Sequence, residues 1–348
     1  MRYAAILILA LSLAAQETRF GVGSRLVLVP VTVTDTKGGS VDDLDVADFL
    51  LFDNQQKREV AVDTIATGVA PIALVIAVQA SGISTAVLEK VQNVGGMVQP
   101  LITGERGCAA LLTFADKVEW QQECTNDSYA LERAFWKLHP GEHKEARMLD
   151  AVDAAIDHLS KRANSRRVLL LISESRDRNS ETTLEAATVR AQAADVTIYA
   201  ATYSALKAAF TSKRRLSEPG RVQTPKTPAQ QMGTVNGAPP SKFNPKIMPR
   251  EQSVDIIAGV QELHRLNKIN TTEALAEITG GATFSFTRQK GLEDAIEKLG
   301  QELHRQYVLS FVPQGAAEGY HKLEVRISRP GEFRIRARPG YWLNAEAQ

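Results

Sequence analysis

The stretch VIAVQASGIS, residues 75–84, places polar atoms at the end of an apolar run. It reads as a buried strand that runs out into a turn of small residues, where the backbone could approach a metal ion or a phosphate closely. Gln79, Ser81 and Ser84 supply oxygens there, but a glutamine stands where a carboxylate would be expected. A second polar turn, SESRD, follows the run RVLLLI and offers Ser173, Ser175 and Asp177, a grouping that commonly caps helices. The chain has no G-x-S-x-G elbow, no P-loop, no G-x-G-x-x-G after a strand and no Cys-x-x-Cys. His158, His264, His304 and His321 sit in helical or strand patterns without partner motifs, and His304 ends a charge-rich helical stretch whose C-terminus it would favour. Tyr341 and Trp342 read as a cap on a β domain. No catalytic residue emerges, and the expectation is a protein that is not an enzyme.

The chain of 348 residues is long enough for two domains, and 41 basic against 40 acidic residues give no reason to expect nucleic acid or an acidic membrane surface as partner. Arg2, the apolar run 4–13 and the small pair Ala14–Ala15 have the form of a cleaved export signal over residues 1–15. No later stretch is apolar enough for a membrane span. The mature protein is therefore expected in the periplasm or outside the cell. In such a compartment Cys108 and Cys124 could pair. They lie in two strand-like runs joined by Ala115, Asp116 and Lys117. A three-residue hairpin loop that sets Phe114 against Val118 also sets Cys108 against Cys124 in an unbroken register. A bridge and two buried thiols both fit the sequence.

Residues 16–68 show period-2 patterns, with Val27, Val29, Val31 and Val33 the clearest, and turn signals at Gly38–Gly39 and Asp53–Asn54. From residue 69 the grammar changes to continuous apolar runs, IALVIAV, RVLLLIS and DVTIYAAT, separated by helical patterns. Strands apolar on both faces that alternate with helices predict a doubly wound, mostly parallel sheet covered on both sides, an α/β domain over 69–306. The hairpin at 107–124 is expected at its edge. Residues 204–252, rich in Pro and basic side chains, read as a disordered insertion. The closing segment 307–348 alternates again, so both chain ends should build one β-sandwich-like domain.

These blocks in this order resemble a von Willebrand factor A (VWA) domain protein, specifically the exported bacterial VWFA-related family typical of Acidobacteria. The resemblance is carried by VLVPVTVTDTKGGSVDDLDVADFLLFDNQQ, the strand ending in SG, LLTFADKVEWQQECTND, MLDAVDAAI, VLLLISES, VTIYAAT, EITGGATF, QYVLSF and RARPGYW. It implies a Rossmann-like fold with a metal-ion-dependent adhesion site (MIDAS). That site takes its oxygens from an Asp-x-Ser-x-Ser turn, a Thr from a later loop and an Asp after the fourth strand.

Carried onto this chain, the resemblance puts the first Asp at Gln79, the serines at Ser81 and Ile83, the Thr at Ala146 and the last Asp at Glu174. Ser84 could replace the hydroxyl lost at Ile83 but reads better as a helix N-cap. A hard cation wants oxygens at each position, so the site reads as degenerate, and no cofactor is expected. The family's Thr loop also implies that His139, Glu142, His143 and Glu145 lie on the same rim as Glu174. The alternative expectation is therefore a rebuilt divalent-cation site using His139, His143 and Glu174. The resemblance implies adhesion, binding of a protein partner in the envelope or outside the cell, at a rim formed by 79–84, the 139–146 loop and 173–177.

Overall fold

The computed structural model describes residues 26–63, 70–81, 85–204, 270–313 and 319–343. The expected export signal, Ile83, Ser84, His264 and all of the 204–252 insertion except Ser204 lie outside them. The chain divides into two units, one running Ala70–Arg305 and one formed from the segments before and after it.

In the first of these units six strands lie in the order β10-β9-β8-β5-β6-β7. They are β5 (Ile72–Gln79), β6 (Cys108–Phe114), β7 (Val118–Thr125), β8 (Arg166–Ser173), β9 (Val196–Thr202) and β10 (Thr283–Ser285). All neighbours are parallel except β7, which returns antiparallel along β6 at the sheet edge. Helices cover both faces, which is why the strands are apolar on both sides. Ile72, Leu74, Ile76 and Val78 pack with α1 (Thr85–Val91), α2 (Gly95–Val98), α3 (Ser128–Trp136) and α7 (Gln289–Arg305). The alternate residues Ala73, Val75 and Ala77 face α4 (Met148–Ser160), α5 (Leu184–Ala193) and α6 (Thr271–Thr279).

The single helix suggested by TAVLEKVQNVGGMV is instead segmented, passing from α1 through a 3-10 turn at Gln92–Val94 to α2 and a π turn at Gln99–Thr103. His304, in the last turn of α7, has its Nε2 3.2 Å from the carbonyl of Leu101 on that π turn. In the EITGG stretch a Cβ on Gly281 would lie 1.9 Å from the carbonyl oxygen of Ile198, so only glycine lets α6 return onto β9.

Cys108 and Cys124 are joined by a disulfide with Cα atoms 5.4 Å apart. The unbroken register expected from the hairpin loop holds only near the loop. Phe114 faces Val118 and Leu112 faces Trp120, but Leu111 faces Gln122 and Ala109 faces Thr125. Two irregularities shift the strands by two residues, and the cysteines bridge neighbouring rather than directly opposed positions.

The other unit holds two four-stranded sheets, β13-β1-β11-β4 and β14-β12-β2-β3. Their strands are β1 (Val27–Thr34), β2 (Phe49–Asp53), β3 (Gln56–Arg58), β4 (Ala61–Asp63), β11 (Tyr307–Phe311), β12 (Gly319–Ile327), β13 (Arg334–Ala337) and β14 (Gly340–Leu343). Val27, Val29, Val31 and Val33 point into the core with Phe49, Leu51, Leu309 and Phe311, and their neighbours face outward. Each sheet takes strands from both chain ends, since β1 pairs with β11 and β2 with β12.

Candidate functional site

In open α/β sheets, polar sites form beyond the carboxyl ends of the strands. Gln79 is the last residue of β5 and is 1 % exposed. Its Nε2 donates to Ser81 Oγ at 2.9 Å, and its Oε1 accepts from the backbone N–H of Glu174 at 2.9 Å. One amide thus ties the turn after β5 to the turn after β8. A carboxylate at 79 could make the same two contacts by accepting from both the Glu174 N–H and the Ser81 hydroxyl. The amide differs in carrying no charge and in donating to Ser81, which leaves the Ser81 hydroxyl proton for another acceptor.

Ala146 occupies a buried position, its backbone forming a two-way bridge with Arg178 (N to O distances of 3.2 and 2.9 Å) and its methyl packed in the apolar cluster under the sheet. Arg178 Nη2 donates to Glu174 Oε2 at 2.8 Å. The 139–145 loop does reach the strand ends, because Gly141 N–H donates to the carbonyl of Ala80 at 2.6 Å. Its imidazoles do not converge on Glu174, however. His139 Nδ1 lies 2.8 Å from its own neighbour's carbonyl, Lys137 O, while His143 sits 3.8 Å from Asp116 and 3.9 Å from Glu145. Among the described residues no three His, Cys, Asp or Glu side chains are grouped to hold a metal ion. The expected grouping of His139, His143 and Glu174 is corrected accordingly: Arg178 takes the carboxylate, and the hairpin loop takes the histidine.

The SESRD turn does cap a helix, but an earlier one in the chain. Asp177 Oδ1 accepts from Leu149 N–H (3.1 Å) and from Ser180 Oγ (2.6 Å), and Ser180 Oγ lies 3.0 and 3.2 Å from the N–H groups of Leu149 and Asp150. The orphan donors of the first turn of α4 are satisfied from across the rim. In return Asp150 accepts from the N–H groups of Glu181 (3.1 Å) and Thr182 (2.8 Å), and Arg147 pairs with Glu181 at 2.9 Å. Ser173 Oγ donates to the carbonyl of Glu174, and the cap of α5 is Thr183.

Burial alone would raise the carboxyl of Asp150, but the N–H donors of Thr182 and Glu181, with Arg147 nearby, outweigh it and leave it below the usual range. A depressed carboxyl gives stability that is complete above its unfolded value, near pH 4, and is lost as pH falls through the folded value beneath that. Asp150→Asn should therefore flatten the acid limb of a urea-midpoint against pH curve below about pH 4, with little change of slope at neutral pH. An unchanged acid limb would show that Asp150 does not carry this linkage.

Beside this rim, a cavity of about 180 Å³ opens between the β6–β7 hairpin and the end of α3. Ala80, Phe114, Ala115 and Leu138 form its apolar part, and its charged lining is mixed, with Lys117 and Lys137 beside Asp116 and Glu119.

The sequence reading missed a buried polar cluster in the β unit. Asp53 is 0 % exposed and meets Arg58 at 3.0 Å, His321 Nδ1 at 2.9 Å and the Tyr341 hydroxyl at 3.3 Å. His321, read as partnerless, stacks on Tyr341, its cross-strand neighbour, with ring centroids 4.9 Å apart. Burial first, then the adjacent Asp53, pushes the Tyr341 hydroxyl far up. A partner more than 260 residues away leaves no local signal.

Fold and rim together define an open, doubly wound α/β domain with a polar, hydrogen-bonded edge at the carboxyl ends of its strands. No family model matches the chain, and no curated protein matches it. Among solved structures, the chain is similar to the conserved hypothetical protein BatB from Bacteroides thetaiotaomicron, at 13 % identity over 66 % of this chain and 99 % of that one, TM-score 0.39. It is similar to an aerotolerance-related membrane protein from Bacteroides fragilis at 14 % identity, over 66 % and 99 % of the two chains, TM-score 0.42. Proximal thread matrix protein 1 from the mussel byssus, solved with a zinc-occupied MIDAS motif, matches at 13 % identity over 72 % and 49 %, TM-score 0.42.

Proposed function

We propose that this is an exported VWA-type binding protein, not an enzyme, that holds a protein partner at the rim of its α/β unit without an obligatory metal. The observation that carries this reading is the Gln79 amide, which joins the turns after β5 and β8 at both of its ends. In a metal-dependent VWA site an ion would hold these turns. Here the positions matched to its ligands are a neutral amide engaged at both ends, a buried methyl at Ala146 and a carboxylate paired with Arg178. These residues do not fit a hard cation, which needs free oxygens in a near-octahedral set.

Export is supported by the signal-like N-terminus and by the disulfide, which persists in oxidising compartments. Among the described residues no helix is long and apolar enough to cross a membrane. The test is charge reversal at the rim. The Glu174 side chain is 16 % exposed and paired with Arg178, so Glu174→Lys should cost about 1–3 kcal/mol through the broken pair while the protein still melts cooperatively. The substitution should also weaken capture of envelope proteins on immobilised protein, assayed against the parent. Unchanged capture with an unchanged fold would remove the rim as the binding surface.

A further inference from the structure

The solvent-facing side of α3 carries four long side chains that the fold does not use. Tyr129, Arg133, Trp136 and Lys137 stand at i, i+4, i+7 and i+8, on one face of the helix. The opposite face buries Leu131, Ala134 and Phe135 in the core beneath. Tyr129 is 72 % exposed and Trp136 55 %, and they are the only large apolar side chains of the Ala70–Arg305 unit, among its described residues, that stand out so far. Among the described residues none of the four side chains makes a hydrogen bond or an ion pair, so two cations and two aromatic donors remain unmatched. The nearest acidic side chain on the helix, Glu132, is turned toward Gly96 on α2.

Solvation alone explains an exposed lysine or arginine. It does not explain a tryptophan and a tyrosine placed on the same stripe, since exposed aromatic surface is unfavourable in water. Tryptophan, tyrosine and arginine are the residue types that carry most of the energy in protein interfaces. We propose that this stripe is a docking surface for an acidic segment of another protein that carries an aromatic or aliphatic side chain between its carboxylates. Carboxylates answer Arg133 and Lys137, and the apolar side chain covers Trp136. Lys137, at the end of the stripe, also lines the cavity walled by Phe114 and Leu138. Asp116 and Glu119 line it too, so only the apolar side chain fits there and the carboxylates stay out on Arg133 and Lys137. The chain's own 204–252 segment is the wrong occupant by charge. It holds nine lysines and arginines against two glutamates.

The stripe lies on α3, away from Glu174, and meets the rim only at the cavity, which Ala80, His139 and Gly141 also line, so a Glu174 variant separates the two readings. The experiment titrates 15N-labelled mature protein with acetyl-EEFEDLE-amide and follows the indole resonances of Trp120, Trp136 and Trp342. The expected result is a saturable shift of Trp136 alone, with a Kd of about 0.1–1 mM, weakening several-fold between about 20 and 200 mM salt as exposed charges are screened. Arg133→Glu and Trp136→Ala, both at exposed positions, should each weaken the response about tenfold, whereas Glu174→Lys should leave it unchanged. The proposal is overturned if no shift saturates, if acetyl-KKFKKLK-amide binds equally well, or if either stripe variant binds like the parent. A neutral oligosaccharide that shifts Trp136 where the acidic peptide does not would overturn it as well.

Discussion

Asp53→Ala should cost about 3–5 kcal/mol of stability, the usual result of removing one partner from a buried ion pair. Asp53 holds four strands of one sheet together at a single point, since Arg58 lies on β3, His321 on β12 and Tyr341 on β14. Its removal leaves the Arg58 guanidinium without its carboxylate in a largely buried site, and the Tyr341 hydroxyl without an acceptor. Both losses carry the full cost of an unmatched polar group. Asp53→Asn keeps an acceptor of similar shape and should cost less than the alanine change. Urea unfolding followed by the fluorescence of Trp342, which packs edge-on against Tyr320 in the same sheet, reads the effect. A loss below about 1 kcal/mol for alanine would show that the cluster is not the anchor described.

The second large effect is expected at the disulfide. Cys108 and Cys124 close a loop of 16 residues in sequence separation and fasten β7, the edge strand, to β6. Crosslinks of that span stabilise by about 3 kcal/mol, chiefly by restricting the unfolded chain. The double change Cys108→Ser, Cys124→Ser should lower the thermal midpoint by roughly 6–12 °C at the 2–4 °C per kcal/mol typical of a unit this size. A reductant should reproduce the shift in the parent and leave the double variant unmoved. Equal midpoints for parent and variant would mean that β7 is held by its ladder and by Trp120 packing on His158 alone.

The alternating valines of β1 and the double-faced apolar runs of β5, β8 and β9 announce both units, because burial on one face or two leaves a period in the sequence. The hairpin loop at 115–117 announces its own turn, but the slip beyond Leu112 is invisible, since a bulge costs one residue and no composition. The rim is legible in part. Gln79 shows in the sequence as an amide where a carboxylate is expected, and its bonds to Ser81 and Glu174 appear only in the structure. The capping of α4 by Asp177 and Ser180, and the meeting of Asp53 with His321, depend on register between distant strands and turns. Nothing local encodes them.

The most direct test of the central claim, that the rim is held by protein hydrogen bonds and needs no ion, is a thermal melt of chelator-treated mature protein with Mg²⁺, Mn²⁺, Ca²⁺ or Zn²⁺ added back. An ion at a hundred times its Kd would stabilise the native state by about 2.7 kcal/mol, a shift of several degrees. The account predicts that none of the four moves the midpoint, while Gln79→Ala lowers it by breaking the bridge to Ser81 and Glu174. A rise with one ion that Glu174→Ala abolishes would contradict the account and establish a rebuilt metal site on this rim.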